Sequence, residues 1–180
     1  MRLFAADIRK ALEEGADASR LARALLAYAV REQWGISCPE TARLANGKPF
    51  FPGERDKFFS LSHTKTHILG GVSHCDLGVD AETRRPVRPG AAERLFSPAM
   101  RRDFGYFEGW TLRESVYKLT GRGSLRRMEF SLSGGEIRAP FPEVRCRLYG
   151  GLHGCAAAAA ADSDDFPEAI ELVPTERFWP

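Results

Sequence analysis

Long apolar runs, paired cysteines, internal repeats and a strong charge of either sign are all missing from this chain. No apolar stretch approaches the roughly 20 residues that a bilayer-spanning helix needs, so no membrane role is expected. The net charge is only +2, which gives no strong field to gather nucleic acid or an anionic membrane. The first ten residues, Met1 to Lys10, become charged too soon for a secretory signal, so a cytoplasmic location is expected. The four cysteines, Cys38, Cys75, Cys146 and Cys155, form no C-x-x-C pair and read as free and reduced. Histidines 63, 67 and 74 lie near Cys75, but their spacings match no zinc motif.

What is present is an ordinary globular composition: 180 residues, 43% apolar, enough for one compact domain or two small lobes sharing a core. Leu21, Leu25, Leu26, Ala29 and Val30 recur at helical spacing and predict an amphipathic helix over 19–34 that stops at Gly35. A loop-rich stretch, 46–53, carries two prolines and two glycines. Strand-like runs at 58–62, 68–73 and 77–82 are spaced as antiparallel neighbours with short turns. Beyond Pro86 and Pro89 the pattern predicts helices over 90–104 and 108–120, the second ended by Gly121 as a left-handed cap. From Arg126 onward the chain reads as strand-rich. Ala156 to Ala161 is in conflict with that reading. Alanine is the best helix former, yet Asp162, Asp164 and Asp165 would sit at the negative end of such a helix.

Three acids carry the chemistry. Within Asp76-Leu77-Gly78-Val79-Asp80-Ala81-Glu82, strand alternation puts Leu77, Val79 and Ala81 on one face and Asp80 and Glu82 on the other. Carboxylates that share a face repel unless a cation balances them. Gly78 removes bulk on that face, where a ligand or a metal-bound phosphate could approach closely. In Trp110-Thr111-Leu112-Arg113-Glu114-Ser115-Val116-Tyr117-Lys118, Glu114 and Lys118 lie one helical turn apart. Two strand acids, a helix acid and a lysine suit a hard cation beside an anionic phosphate. Each element alone also fits a solvated edge or a surface ion pair. Ser62-His63-Thr64 at a strand end offers donors for phosphate oxygens, and Lys48 and Arg20 are candidate phosphate cations.

Taken in order, these motifs resemble the 4′-phosphopantetheinyl transferase superfamily, of the kind that activates nonribosomal peptide and polyketide synthetases. The resemblance runs from about residue 19 to the end. It rests on Gly47-Lys48-Pro49, Phe59-Ser60-Leu61-Ser62-His63-Thr64, Gly78-Val79-Asp80-Ala81-Glu82, Phe96-Ser97 and the Trp110 to Lys118 run. Asp165-Phe166-Pro167-Glu168, followed by Ile170 and Val173, is similar to the family's terminal strand.

The resemblance implies an α+β fold of two similar lobes related by a pseudo-twofold, here 1–88 and 89–180, each with helices on a small antiparallel sheet. Coenzyme A would lie in the cleft between them. It also implies that the alanine run is a strand. The implied reaction moves the phosphopantetheine arm of coenzyme A onto a serine of an apo acyl or peptidyl carrier protein and releases adenosine 3′,5′-bisphosphate. Mg²⁺ would be held by Asp80, Glu82 and Glu114. Glu114 would take or relay the serine proton, and Lys118 would bind the pyrophosphate and stabilise transition-state charge. Arg20, Lys48, Ser62 and His63 match coenzyme-contacting positions. A monomer is expected, because two lobes in one chain supply a whole cleft.

Two positions depart from the family pattern. Arg113 stands where a lysine is usual, and arginine stays protonated and cannot act as a base. Met100 stands where an acid often follows the Phe-Ser. These departures keep a second reading open, a non-catalytic coenzyme A or carrier-protein binding module. The run Arg122 to Arg127 motivates a third, a nucleic-acid binder, against which the near-neutral charge argues.

Overall fold

The computed structural model describes residues 1–179. The elements run β1 (Arg2–Asp7), α1 (Arg9–Glu13), α2 (Ala18–Trp34), β2 (Ala42–Arg43), β3 (Pro49–Phe50), β4 (Phe58–His63), β5 (His67–Ser73) and β6 (Leu77–Thr83). Then follow α3 (Ala91–Leu95), α4 (Pro98–Asp103), α5 (Tyr106–Thr120), β7 (Ser131–Ser133), β8 (Glu136–Arg138), β9 (Arg145–Tyr149), β10 (Cys155–Ala161) and β11 (Glu171–Leu172), and a closing 3₁₀ turn at Thr175–Arg177. The class is α+β, as the sequence implied.

One sheet has the order β11-β1-β5-β4 and a second the order β6-β10-β9; β2-β3 and β7-β8 are separate hairpins. Every pairing is antiparallel except β1 with β11. Strand alternation builds the layers. Phe4, Ala6, Ile68 and Val72 pack under α2, whose buried stripe is the expected Leu21, Leu25, Leu26, Ala29 and Val30. Leu3, Ala5 and Leu69 meet Leu77, Val79, Ala157 and Ala159 between the sheets. Ala158 and Ala160 pack under Leu112 and Val116 of α5. The stacking is therefore α2, first sheet, second sheet, α5.

The sequence predicts α2 well because its ends are chemically marked. Asp17 accepts the Arg20 N–H, and Gly35 closes the helix with φ 67°. Gly121 closes α5 in the same left-handed conformation, φ 63°. Two expectations change. First, β5 and β6 are not ladder neighbours. Both edges of β5 are already taken by β1 and β4, so β6 crosses to β10. Second, the helix expected over 90–104 is two short helices. Pro98 has no N–H to give and disfavours helical geometry at Ser97, which turns extended and accepts the Met100 N–H to start α4. The alanine run is a strand, as the resemblance implied: it is the central strand β10, all seven residues buried. Its small side chains fit both sheet faces at once, and that tertiary fit overrides the helical propensity of alanine.

Candidate active site

Gly78 determines how α5 sits on β6. A Cβ at that position would collide with the Ser115 carbonyl and lie 2.6 Å from the Leu119 nitrogen. The space freed by glycine is filled by the backbone of α5, not left for a ligand as the sequence suggested. The close approach brings Lys118 over Asp80. Lys118 Nζ donates to Asp80 Oδ1 at 2.7 Å and to the Val79 carbonyl at 3.1 Å.

Asp80 is only 5% exposed. Its Oδ1 also accepts from Ser62 Oγ at 2.8 Å, whereas Oδ2 is buried with no hydrogen-bond partner. Burial raises the Asp80 pKa; Lys118 and Ser62 oppose that shift, and Glu82 adds to it. Glu114, half-buried, is likewise raised by burial first and then by the charge of Asp80, with Lys118 pulling the other way and Glu82 adding to the rise. The three acids therefore sense one another, with Glu82 at the rim, where Arg85 Nη1 donates to it at 3.0 Å. Among the described residues no three His, Cys, Asp or Glu side chains form a ready-made metal cluster.

Beside this acid pocket lies a cavity of about 680 Å³ between α2, the β2-β3 hairpin, β4 and the end of α5. Arg23, Arg43, Lys48, His63 and Lys118 line it, together with Tyr117 and Asn46. Among the described residues no aspartate or glutamate does.

The sequence-derived candidates divide. Lys118 and His63 reach the cavity. Lys48 reaches it too, but its Nζ donates to both Asp76 oxygens and to the Leu119 carbonyl, each at 2.6 Å. An ammonium has three N–H donors, so Lys48 already ties the hairpin to the end of α5. Ser62 lies off the cavity wall, turned to Asp80. Arg20 is exposed, stacks over the Trp179 ring at 5.5 Å and does not line the cavity. Arg23, one turn further along α2, does line it. Arg23 and Arg43 escaped sequence reasoning. The one available signal was the helical spacing that separates Arg20 from Arg23.

The two departures turn out to be one packing unit. Arg113 is fully buried, with its ring-stacked guanidinium 4.6 Å from the Phe96 centroid. It donates to the Met128 carbonyl at 2.8 Å and the Leu95 carbonyl at 2.9 Å, and touches Met100 Sδ at 3.5 Å. Neither residue belongs to the acid pocket.

No protein-family model matches the chain. It is similar to the 4′-phosphopantetheinyl transferase ffp of Bacillus subtilis, 28% identical over 184 residues that span 91% of this chain and 82% of that protein. It is 34% identical over 88 residues to the 4′-phosphopantetheinyl transferase psf-1 of Bacillus pumilus, spanning 43% of this chain and 38% of that protein. It is 27% identical over 149 residues to the 4′-phosphopantetheinyl transferase Sfp of Bacillus subtilis (strain 168), spanning 73% and 66%. The chain thus spans less than two thirds of the length of psf-1 and Sfp. With acids and lysine gathered at β6 and α5, and with relatives of one kind aligned along most of its length, the chain resembles the 4′-phosphopantetheinyl transferase superfamily.

Proposed function

We propose that this protein transfers the 4′-phosphopantetheine arm of coenzyme A to a serine of an apo carrier protein, with Mg²⁺, and releases adenosine 3′,5′-bisphosphate. The observation that carries the reading is the cation-lined, acid-free cavity that ends at Lys118, beside the buried Asp80. A polyanion such as coenzyme A fits those walls, and a cation fits the acids next to them. In this reading Arg23, Arg43 and His63 face the coenzyme's phosphates.

The donors also suit Mg²⁺. Asp80 Oδ2 is a buried acceptor with nothing to accept from, and all three acids offer hard oxygen. Mg²⁺ characteristically takes one or two carboxylates plus substrate phosphates rather than an all-protein cage, so the lack of a three-residue cluster is compatible with it. Asp80, Glu82 and Glu114 would hold the ion, which when bound supplies Lewis-acid polarisation of the pyrophosphate. Lys118 holds its positive charge where negative charge grows on the leaving phosphate. Glu114, its proton affinity raised by burial and by Asp80, takes or relays the serine proton. The serine oxygen bonds to the β-phosphorus as the bond from that phosphorus to the bridging oxygen breaks. The electron pair leaves with the adenosine bisphosphate.

The two sheets, each covered by one long helix, support two lobes, 1–88 and 89–180, with β6 and β11 each paired in the sheet of the other half. A monomer acting in the cytoplasm, with no nucleic-acid or membrane partner, completes the reading; no helix among the described residues is long and apolar enough to cross a membrane. The binding-module alternative drew on Arg113 and Met100; their contacts are with each other, the Met128 and Leu95 carbonyls and the Phe96 ring, which supports a packing role for both.

The test is a mass measurement on a panel of apo peptidyl, acyl and aryl carrier domains incubated with coenzyme A and Mg²⁺. A gain of one phosphopantetheine is expected. Coenzyme binding with no gain on any carrier would refute the transfer.

A further inference from the structure

The two sheets meet along β4 and β6 without a backbone ladder between them. Serine hydroxyls of β4 stand in for that ladder. Ser60 Oγ accepts the Val79 N–H at 3.0 Å, and Ser62 Oγ accepts the Ala81 N–H at 3.3 Å. Both serines are buried, at 5% and 7% exposure. A hydroxyl has one proton to give. Ser62 gives its proton to Asp80 Oδ1, so none is left for a phosphate oxygen. Ser62 is also absent from the cavity wall that its neighbours Leu61 and His63 help to form.

We propose that Ser62 is a positioning residue for Asp80 and not a contact to the coenzyme. With Lys118, it fixes Oδ1 and so aims the unpartnered Oδ2 at the site where a cation is held in the function proposed above, on which this inference rests. Residues that orient a ligand through one hydrogen bond typically change metal affinity or activity by about 10–100-fold when removed.

The test compares Ser62→Ala, Ser62→Thr and Ser60→Ala. Calorimetric titration of coenzyme A in EDTA reads phosphate contact directly, and Ser62→Ala is expected to bind within about twofold of the parent protein. Mn²⁺ affinity of the coenzyme complex, read by electron paramagnetic resonance, is expected to fall about tenfold or more in Ser62→Ala. It is expected to recover in Ser62→Thr, which keeps the hydroxyl. Ser60→Ala removes a stitch of the same kind that lines the cavity but does not touch Asp80, and its Mn²⁺ affinity is read at saturating coenzyme A. It should lower the melting temperature comparably and leave Mn²⁺ affinity in place. A tenfold loss of coenzyme binding in Ser62→Ala would overturn the inference, as would unchanged Mn²⁺ affinity or an equal loss in Ser60→Ala. Because these readouts need no carrier protein, a parent protein that binds Mn²⁺ and coenzyme but modifies no carrier would refute the transfer reading and leave the role of Ser62 standing.

Discussion

Arg113 and Asp80 are both buried charges, one on α5 and one on the strand beneath it, yet their surroundings differ in kind. Arg113 spends its donors on two backbone carbonyls and rests on the face of Phe96, with Glu129 at 3.4 Å. Asp80 keeps one oxygen without any partner. Buried polar groups are usually paired, and the exceptions call for an explanation. The paired charge is explained by packing, because it ties α5 to the end of α3 and to the segment at Met128. The half-paired charge is explained, in the function proposed above, by a bound cation. Satisfaction of hydrogen bonds, more than burial or charge, separates the structural site from the chemical one.

That contrast is broken most severely at Asp80. Asp80→Asn keeps the shape and removes the charge, and carrier modification is expected to fall roughly a hundredfold or more. Stability should hold, because burial already disfavours the ionised form, as the raised pKa records. A urea melt alongside the mass assay checks both halves. A variant that unfolds, or one that keeps full activity, would place Asp80 with Arg113 as a packing residue.

Gly78 comes next, since it sets the distance between the helix and the acid strand. Gly78→Ala drives a methyl into the Ser115 carbonyl and the Leu119 nitrogen. Backbone cannot step aside as a side chain can, so a loss of about 3 kcal/mol is expected at the upper end of overpacking costs. The loss of activity should follow the displacement of Lys118 and Glu114. Denaturant melts combined with activity per folded molecule measure the two parts.

Gly78 also marks how far the sequence could be read. Period-two alternation put Asp80 and Glu82 on one face, helical spacing put Glu114 beside Lys118, and the structure keeps both patterns. Alternation could not say what covers that face, so the glycine read as room for a ligand when it is room for a helix. The split of 90–104 was legible, because Ser97-Pro98 spells a helix start, but the apolar periodicity on either side masked it. The strand at Ala156 to Ala161 was not legible from propensity, since its reason lies in two sheet faces formed by distant residues. Arg20 and Arg23 have the same chemistry, and only the position of the Trp179 ring and the cavity wall tells them apart. Lys48 and Ser62 looked free to bind because Asp76, Leu119 and Asp80, which engage them, are remote in sequence.

Arg113→Met tests the other side of the contrast. Methionine fills a similar volume but leaves the Met128 and Leu95 carbonyls without their donor, an expected loss of about 2–3 kcal/mol. Activity per folded molecule should stay within a few-fold of the parent. Arg113→Lys should recover part of the stability, since one ammonium cannot span both carbonyls as the planar fork does. A large activity loss in a well-folded Arg113→Met would return this position to the proton-transfer machinery.

The smallest effect belongs to an exposed pair remote from both charges. Arg9 donates to Asp7 through its side chain and holds the Asp7 carboxyl down at about 2. A carboxylate whose folded pKa lies below its unfolded value near 3.8 stabilises the fold above that unfolded value. The contribution fades as pH falls towards the folded one. Asp7→Asn should therefore lower the melting temperature slightly at about pH 6, and the difference from the parent should shrink on acidification below about pH 4. Because water screens the pair, the shift should be small at every pH. A difference that grows in acid would mean that Asp7 stabilises the fold through its protonated form. That would make Asp7, like the buried Asp80, a carboxyl pushed towards its neutral form.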